Sequence, residues 1–288
     1  MEQKTKGVLF ILAASLMWGV ESILSRMSSQ NSTSLKTAAF ALLFGSLTAL
    51  CYAFFRREVK NHRIGKKELK VLIIMAFFGT AIAQPLYYLA ISKTSLLNAV
   101  LIVHTQPIFI ILIGYLLMKE KLTKYDYIGG FFALIATLFV TSGSIDNLIK
   151  LRLGSYGDLL ALAATIMWAA IIFPAKIHLS KVSPSLITAL RFGIAALLLI
   201  AYLIITGNFM VDNIYQVLIG ITIGIGAIFY YEGLKRIKAA QVSFIELAAP
   251  FFTAILGFYI FSENVTRLQI FSFPLLGVGL WLIVRHEK

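Results

Sequence analysis

Apolar and polar residues occur along this chain in long blocks rather than in alternation. Runs of about 20 apolar residues, the number that crosses roughly 30 Å of hydrocarbon as a helix, are separated by short basic or Gly-containing segments. Only a helix or a closed barrel satisfies its backbone in a bilayer, and these runs have helical length. The pattern predicts an all-α integral membrane protein with ten spans, near residues 7–26, 34–55, 69–91, 95–118, 125–142, 157–178, 184–206, 213–235, 239–261 and 268–284.

The first half of the chain recurs in the second. GVLFILAASLMW at residues 7–18 returns as GDLLALAATIMW at residues 157–168, so the first span is interpreted as a structural unit and not as a cleaved signal. A shift of 143 residues aligns spans 3 to 5 with spans 8 to 10 through these pairs: Tyr87-Tyr88 and Tyr230-Tyr231, Lys93 and Arg236, Pro107 and Pro250, Gly114 and Gly257, Glu120 and Glu263, Thr123 and Thr266. We therefore predict two five-helix repeats, at residues 1–145 and 155–288. Because five is an odd number, the second repeat enters the membrane from the opposite side and the repeats are inverted.

Composition and charge agree with a bilayer environment. The chain is 59% hydrophobic and 14% charged, with a mean hydropathy of +0.86, which is too apolar for a soluble globule of 288 residues. Its net charge of +13 does not indicate nucleic-acid binding, because the basic residues fall in short clusters between apolar runs. The single cysteine, Cys51, excludes an internal disulfide and is interpreted as a small packed apolar side chain.

The distribution of Lys and Arg predicts the orientation. If the N-terminus is cytoplasmic, 19 of these residues lie on the cytoplasmic side, 6 lie on the opposite side, and Arg191 lies within a span. The positive-inside rule then places both termini in the cytoplasm and the protein in the cytoplasmic membrane.

Several residues within this architecture resemble a known family. The pattern Ala14, Trp18, Gly19 in span 1, and a proline, a glycine and a terminal glutamate in spans 4 and 9 (Pro107, Gly114, Glu120; Pro250, Gly257, Glu263), resemble the drug/metabolite transporter superfamily, in particular its EamA-like ten-helix branch. Span 6 departs from the pattern, since Ala169 replaces the glycine after Trp168. The resemblance implies a secondary transporter that moves a small organic solute, such as an amino acid, a metabolite or a drug-like compound, by alternating access. It implies no cofactor.

The expected substrate site lies between the halves, near the bilayer midplane. Transporters with inverted repeats bind substrate there, often beside helices interrupted by Pro or Gly. Pro107 and Pro250 lie near the middles of their spans, where each removes a helical hydrogen bond. Trp18 and Trp168 also lie near span middles, away from the interfacial belts that usually explain such side chains. Core packing is the alternative explanation for the two tryptophans.

Ionisable groups inside the spans are the candidates for binding and coupling, because each costs about 2.5–3.5 kcal/mol to insert near the bilayer centre. Glu246 and Arg191 lie at matching depth and are predicted to be able to pair, and His104 precedes Pro107 by one helical turn. Glu21 lies one turn beyond Trp18 and either lines the cavity or reaches the outer interface. Glu232 is explained by a local pair with Arg236. The remaining polar candidates are Asn98, Gln106 and Gln241, which either bind substrate or bridge helices.

Glycines within the spans predict close helix packing. Gly220 and Gly224 have the small-xxx-small spacing in span 8, and Gly129, Gly130, Gly277 and Gly279 are expected to act similarly in spans 5 and 10. Ser183 and Pro184 predict the start of span 7 as an N-cap followed by proline.

Other classes of protein fit the sequence less well. The motifs of intramembrane aspartyl proteases, zinc proteases and serine hydrolases are absent from the sequence. A non-transporting scaffold has no use for acids and a histidine at cavity depth. A flippase for a lipid-linked sugar stays open as an alternative within the transporter class. Protons are candidate coupling ions, and the small-molecule substrate and the lipid bilayer are the other expected partners.

The charge asymmetry and the odd number of spans in each repeat lead to a prediction about topology. A reporter that is active only in the cytoplasm should be active when fused to either end of the chain. A reporter fused to the loop near residue 150 should be inactive and provides the control. Activity at only one terminus would contradict the inverted arrangement.

Overall fold

The structure is a computed structural model that describes residues 2–61, 64–151 and 153–285. Arg63, Arg152 and Lys288, which entered the charge count, and the last residues of the second predicted repeat lie outside the described residues. Within the described ranges every regular element is a helix, and ten helical segments are long and apolar enough to cross a membrane. The predicted all-α membrane fold with ten spans is confirmed.

The helices follow one another in two runs along the chain. The first run comprises α1 (Glu2–Ser28), α2 (Ser34–Phe55), α3 (Glu58–Asn61), α4 (Lys66–Ala76), a π-helical turn (Phe77–Ile82), α5 (Ala83–Lys93), α6 (Leu96–Val103), α7 (Gln106–Met118), α8 (Lys124–Ser142) and α9 (Ile145–Ile149). The second comprises α10 (Tyr156–His178), α11 (Pro184–Ile205), α12 (Ile214–Leu234), α13 (Ala239–Glu246), α14 (Ala249–Phe261) and α15 (Arg267–Arg285). Span 3 is α4, the π turn and α5; span 4 is α6 and α7; span 9 is α13 and α14. The other spans are single helices, and α3 and α9 are short helices in loops.

Matching capping boxes begin spans 5 and 10. The Thr123 hydroxyl accepts from the Asp126 N–H and the Asp126 carboxylate accepts from the Thr123 N–H, which pairs two N–H groups that the helix leaves free. Thr266 and Gln269 make the same two bonds at the start of span 10. Span 7 begins with the Ser183 cap and Pro184, as predicted. Equivalent sequence positions therefore begin equivalent helices.

The packing of the spans has the symmetry expected of an inverted duplication. Span 1 packs against spans 8 and 9, and span 6 packs against spans 3 and 4 in the corresponding way. Spans 2 and 7 contact each other, as do spans 5 and 10, so these two pairs join equivalent helices of the two halves. The interface between the halves therefore runs through the whole bundle.

Small residues allow the closest of these approaches. A Cβ on Gly129 would lie 2.5 Å from the Gly279 carbonyl oxygen, and a Cβ on Gly279 would lie 2.7 Å from the Gly129 carbonyl oxygen, so spans 5 and 10 meet backbone to backbone. A Cβ on Gly220 or Gly224 would lie 2.8 Å from a carbonyl oxygen of span 2. Gly130 similarly packs under the Phe244 ring. The predicted role of these glycines in close packing is confirmed.

Two expectations about small residues are wrong. A Cβ on Gly277 meets nothing within 4 Å, because this glycine points away from span 5 and toward the surface of the bundle. Cys51 is exposed rather than packed, because it lies on the side of span 2 that faces away from the other helices.

The two ends of the bundle differ in how tightly the halves are joined. We call the end that holds the start of span 1 and the end of span 10 the inner end; there Lys4 Nζ donates to the Ile283 carbonyl at 2.9 Å. Toward the inner end, one apolar cluster unites spans 1–4 with spans 6–9. Toward the outer end, separate clusters hold spans 2, 7 and 8 and spans 3, 4 and 6. A further cluster of spans 5, 9 and 10 extends along the bundle and includes Ile283 at the inner end. The halves are thus joined most continuously at the inner end.

A polar contact ties spans 2 and 8 together at the outer surface. Lys36 Nζ lies 3.1 Å from Asp212 Oδ1, and both side chains are mostly buried. Burial by itself would raise the pKa of Asp212, but hydrogen bonds from Ser32 and Lys36 and the Lys36 charge hold this pKa below its ordinary value. A carboxylate with a lowered pKa contributes stability that is lost as the pH falls through that pKa.

The contrast between Gly279 and Gly277 leads to a prediction about stability. Gly279→Ala should lower the unfolding temperature in detergent, because the added methyl meets the span 5 backbone and overpacking costs roughly 1–3 kcal/mol. Gly277→Ala, two residues away on the same helix, is the matched control and should leave this temperature unchanged or raise it, because alanine favours the helix. Equal effects of the two substitutions would contradict the packing of spans 5 and 10.

Candidate functional site

Spans 4 and 9 are broken at equivalent positions. The break in span 4 lies at His104 and Thr105, and that in span 9 at Leu247 and Ala248, which are the equivalent residues of the repeat. Pro107 and Pro250 each occupy the second position of the half-helix that follows. Proline cannot donate a helical hydrogen bond, so carbonyls at each break are left for other partners. Broken helices of this kind line substrate sites in many transporters.

Span 3 contains an irregularity that the sequence reading missed. Its middle is a π-helical turn, Phe77–Ile82, and such turns are frequent at functional sites. The Arg191 guanidinium of span 7 donates to Thr80 Oγ1 at 2.7 Å, to the Gly79 carbonyl at 3.1 Å and to Tyr231 Oη at 2.7 Å. These three bonds hold the partly buried cation between spans 3 and 8.

Glu246 has a different partner from the one predicted. It ends α13 at the break of span 9 and accepts a hydrogen bond of 3.2 Å from Trp18 Nε1. The suggested ion pair with Arg191 is not formed in this conformation, because the guanidinium is directed to Thr80, Gly79 and Tyr231 as just described. Tyr230 lies close enough to Glu246 and Arg191 to interact electrostatically with both.

Tyr87 is a neighbour of both Trp168 and Glu21. The Trp168 ring packs edge-on against Tyr87, with centroids 5.4 Å apart. Tyr87 in turn lies within electrostatic range of Glu21, one turn beyond Trp18 on α1. The Trp18–Glu246 hydrogen bond and the Tyr87–Trp168 ring contact each join a residue of the first half to a residue of the second.

These side chains are enclosed without being fully packed. Glu21, His104 and Glu246 lie deep among protein atoms, yet each keeps part of its surface accessible. The side chains of Trp18 and Trp168 are likewise only partly buried. Trp18 also packs against the apolar cluster of spans 2, 7 and 8. The cavity expected between the halves stays a prediction. We call this group the central cluster: Trp18, Glu21, Tyr87, Trp168, Tyr230 and Glu246.

The break in span 4 carries two further polar candidates. His104 Nδ1 lies 2.7 Å from the Val100 carbonyl, one turn back on α6, so this nitrogen carries a proton and donates. Gln106 begins α7 and is partly accessible. His104 therefore lies in the break itself, and Gln106 lies at the helix end that borders it.

Asn98 and Gln241 lie apart from the central cluster, within structural networks. Asn98 is buried in the first turn of α6 and its amide donates to Asp158 Oδ1 at 3.3 Å. Gln241 is buried in the first turn of α13 and donates to Asp126 Oδ1 at 2.9 Å. Each amide bridges two spans, the alternative that the sequence left open. Their location near the ends of the bundle distances them from the central cluster.

A crevice opens at the inner end, below the Arg191 contact. It has a volume of about 190 Å³, and its lining includes Met118, Lys176, Tyr231, Leu234 and Lys235. Lys235 donates to the Val182 carbonyl at 2.5 Å, and burial lowers its pKa below the ordinary value. The predicted local pair of Glu232 with Arg236 is present beside it.

The structure holds no cluster that suggests a metal ion. Among the residues it describes, no group of three or more His, Cys, Asp and Glu side chains is close enough to bind one. The chemistry of the central cluster is that of two carboxylates set among indole and phenol rings.

Comparison with known proteins places this arrangement in a family. The model of the EamA-like transporter family matches the chain twice, over residues 5–142 and 155–285. The chain belongs to the EamA-like transporter family. This agrees with the resemblance read from the sequence and shows a multi-pass membrane protein of a transporter family.

Relatives of similar length occur in an archaeon and in a bacterium. A protein of Methanothermobacter thermautotrophicus described as an uncharacterized transporter is 22% identical over 98% of this chain and 87% of its own length. The riboflavin transporter ImpX of Fusobacterium nucleatum is 28% identical over 97% of this chain and 98% of its own length. A solved crystal structure shares the fold, with a TM-score of 0.80 over 96% of both chains at 16% identity.

Proposed function

We propose that this protein is a secondary transporter that binds a small organic solute in the central cluster and exposes it to the two sides of the membrane in turn. The observation that carries this proposal is the position of Glu21 and Glu246, two partly accessible carboxylates near broken helices between the halves of the bundle. Ionisable groups at that depth are costly and are usually retained for transport or proton transfer. A scaffold would gain nothing from them.

The composition of the cluster favours a solute that carries a protonated amine and a flat or apolar part. Among the described residues Glu21 has no hydrogen-bond or ion-pair partner, and Glu246 has only the Trp18 indole, so both carboxylates keep acceptor sites for a donor. Indole and phenol rings bind cations on their faces and flat rings by stacking. Amino acids and drug-like amines fit this description. That one relative is named a riboflavin transporter is consistent with a site able to hold a ring system.

Glu246 is also the proposed coupling site. A carrier uses a proton gradient only if a group binds the proton with different affinity in its two states. In the present conformation Glu246 is apart from Arg191, whose donors are directed to Thr80, Gly79 and Tyr231. Relative movement of spans 7 and 9 that brought the two charges together would favour the ionised carboxylate and release a proton. His104, at the break of span 4, is the second candidate for this role.

A ligand screen on purified protein identifies the solute. Thermal unfolding should be shifted upward by some members of a panel that contains amino acids, nucleosides, polyamines and aromatic amines, because a ligand that binds only the folded state stabilises it. Tryptamine, tryptophol and indole-3-acetate form a matched set with the same ring and a positive, neutral or negative side chain. We expect the greatest shift within this set from tryptamine.

The coupling role of Glu246 leads to a prediction about flux. In proteoliposomes, Glu246→Gln should abolish uptake driven by a pH gradient, since glutamine does not titrate, while exchange between equal pools of the solute stays measurable. Glu232→Gln is the matched control, because that acid is accounted for by Arg236 at the inner surface, and it should keep the gradient response.

Two outcomes would overturn parts of this account. If Glu246→Gln and His104→Gln both keep the full response to a pH gradient, coupling to protons through these groups is wrong and a uniporter or exchanger replaces it. If no solute in the panel is exchanged by wild-type protein that is folded and inserted, transport itself is contradicted in favour of a scaffold or a lipid-linked sugar flippase.

A further inference from the structure

Two ion pairs occupy equivalent positions in the two halves. Lys176 Nζ lies 3.0 Å from Glu120 Oε1 at the inner end, and Arg26 pairs with Glu263 at the outer end. Glu120 and Glu263 are equivalent under the shift of 143 residues that aligns spans 4 and 9. Arg26 and Lys176 are equivalent under the shift of 150 that aligns spans 1 and 6, where residues 7–18 match residues 157–168. The duplication therefore produced one contact at each end of the bundle.

The surroundings of the two pairs differ greatly. The inner pair is mostly buried, with side-chain exposures of 17% for Lys176 and 12% for Glu120. The outer pair is about half exposed, with 59% for Arg26 and 49% for Glu263. An exposed pair contributes little to stability, whereas a buried pair is costly to break because it leaves an unpaired charge.

The inner pair is also bonded to the loop between spans 8 and 9. Lys176 Nζ donates to the Ile237 carbonyl at 2.7 Å, and the Ala239 N–H, the first of α13, donates to Glu120 Oε1 at 3.3 Å. The ends of spans 4 and 6 are thereby fixed to the loop between spans 8 and 9. A carboxylate at a helix N-terminus also interacts favourably with the helix dipole. This loop lies beside the inner crevice, which Lys176 lines.

We propose that these pairs are two alternating latches of the transport cycle. In the present conformation the Glu120–Lys176 latch closes the inner end. The Arg26–Glu263 pair is its counterpart, which is formed but exposed and, within the described ranges, not bonded to a loop of the outer end. In the opposite conformation the outer pair engages the equivalent loop between spans 3 and 4. Subtracting 143 from Ile237 and Ala239 identifies the new partners as the Thr94 carbonyl, which accepts from Arg26, and the Leu96 N–H, which donates to Glu263.

This exchange conserves the number of buried ion pairs. Release of Glu120 and Lys176 to water at the inner end is offset by burial of Glu263 and Arg26 at the outer end, so neither conformation holds two buried latches. Two states of similar free energy are what a carrier requires, since a ligand or proton shifts an equilibrium only by its differential affinity. The proposal assumes the transport cycle of the proposed function, but its test needs no substrate.

Distances between spin labels on purified protein test the latches. Cys51→Ser removes the only native cysteine, and Lys93→Cys with Asn264→Cys places labels on exposed positions beside Thr94 and Glu263. Glu120→Gln should add a shorter distance population at the outer end, because loss of the inner latch favours the conformation closed outside. Lys176→Gln removes the same latch from the other partner and should give the same population.

The double variant distinguishes a latch from general destabilisation. Adding Glu263→Gln to Glu120→Gln should restore the longer distance, since the outer latch is then lost as well, and Glu263→Gln alone should leave it unchanged. A distance distribution that does not respond to Glu120→Gln and Lys176→Gln overturns the inner latch. A double variant identical to Glu120→Gln overturns the outer one. Neither result depends on flux, which the proteoliposome experiment measures separately.

Discussion

The structure depends on one constraint, the cost of leaving a polar or ionised group without a partner in hydrocarbon. Most of the chain meets it with uninterrupted helices, whose backbone groups bond within the span. Pro174 and Pro274 lie inside continuous helices of spans 6 and 10. Within the described spans the helix is interrupted at three places, the π turn of span 3 and the breaks in spans 4 and 9. All three lie among the polar side chains between the halves. Arg191 donates a hydrogen bond to the Gly79 carbonyl of the π turn, and His104 and Glu246 lie at the two breaks. The irregular backbone and the ionisable groups therefore occupy the same part of the interface.

The two halves, each matched by the same family model, give this interface its second property, a similarity of its two ends. Capping boxes, span packing and terminal ion pairs recur in both halves, so these features at one end have counterparts at the other. When the halves are joined most continuously at one end, the equivalent contacts at the two ends cannot be equally buried in the same conformation. The buried latch at Glu120 and Lys176 and the exposed pair of Arg26 and Glu263 express this asymmetry. This asymmetry is the basis of the proposal that the protein has a second conformation of similar free energy.

Much of this fold could be predicted from the sequence, because span length and helix boundaries depend on local composition. The Ser183 cap, the paired prolines and the packing glycines act through neighbouring residues or through helix contact alone. Side-chain partners were less predictable. The depth of Glu246 and Arg191 suggested a pair, but a count of residues along a helix does not give the direction of a side chain around it. The prediction that Gly277 packs against a neighbouring helix was wrong for the same reason.

The residues that the structure brings together include some of the predicted candidates, and their role in binding stays a prediction. Trp18, Glu21, Trp168 and Glu246 are connected in the central cluster, whereas Asn98 and Gln241 serve helix contacts near the ends of the bundle. Tyr87 and Tyr230 were visible as a repeated tyrosine pair, yet nothing local distinguished them from other aromatic residues of the spans. The π turn had no signal in the sequence, because the bonds that Arg191 makes to it come from a different span.

Access to the central cluster from both sides of the membrane tests the central claim most directly. In a Cys51→Ser background, Glu21→Cys places a thiol where the native side chain has no hydrogen bond to the described part of the chain, and Leu112→Cys places one on the exposed surface of span 4 as a control. A membrane-impermeant maleimide should react with the cysteine at position 21 in right-side-out and in inside-out vesicles. It should not react with the control, which faces lipid. Reaction at position 21 from one side only, or from neither, in every condition that stabilises the protein would contradict a chamber that opens to the two sides in turn.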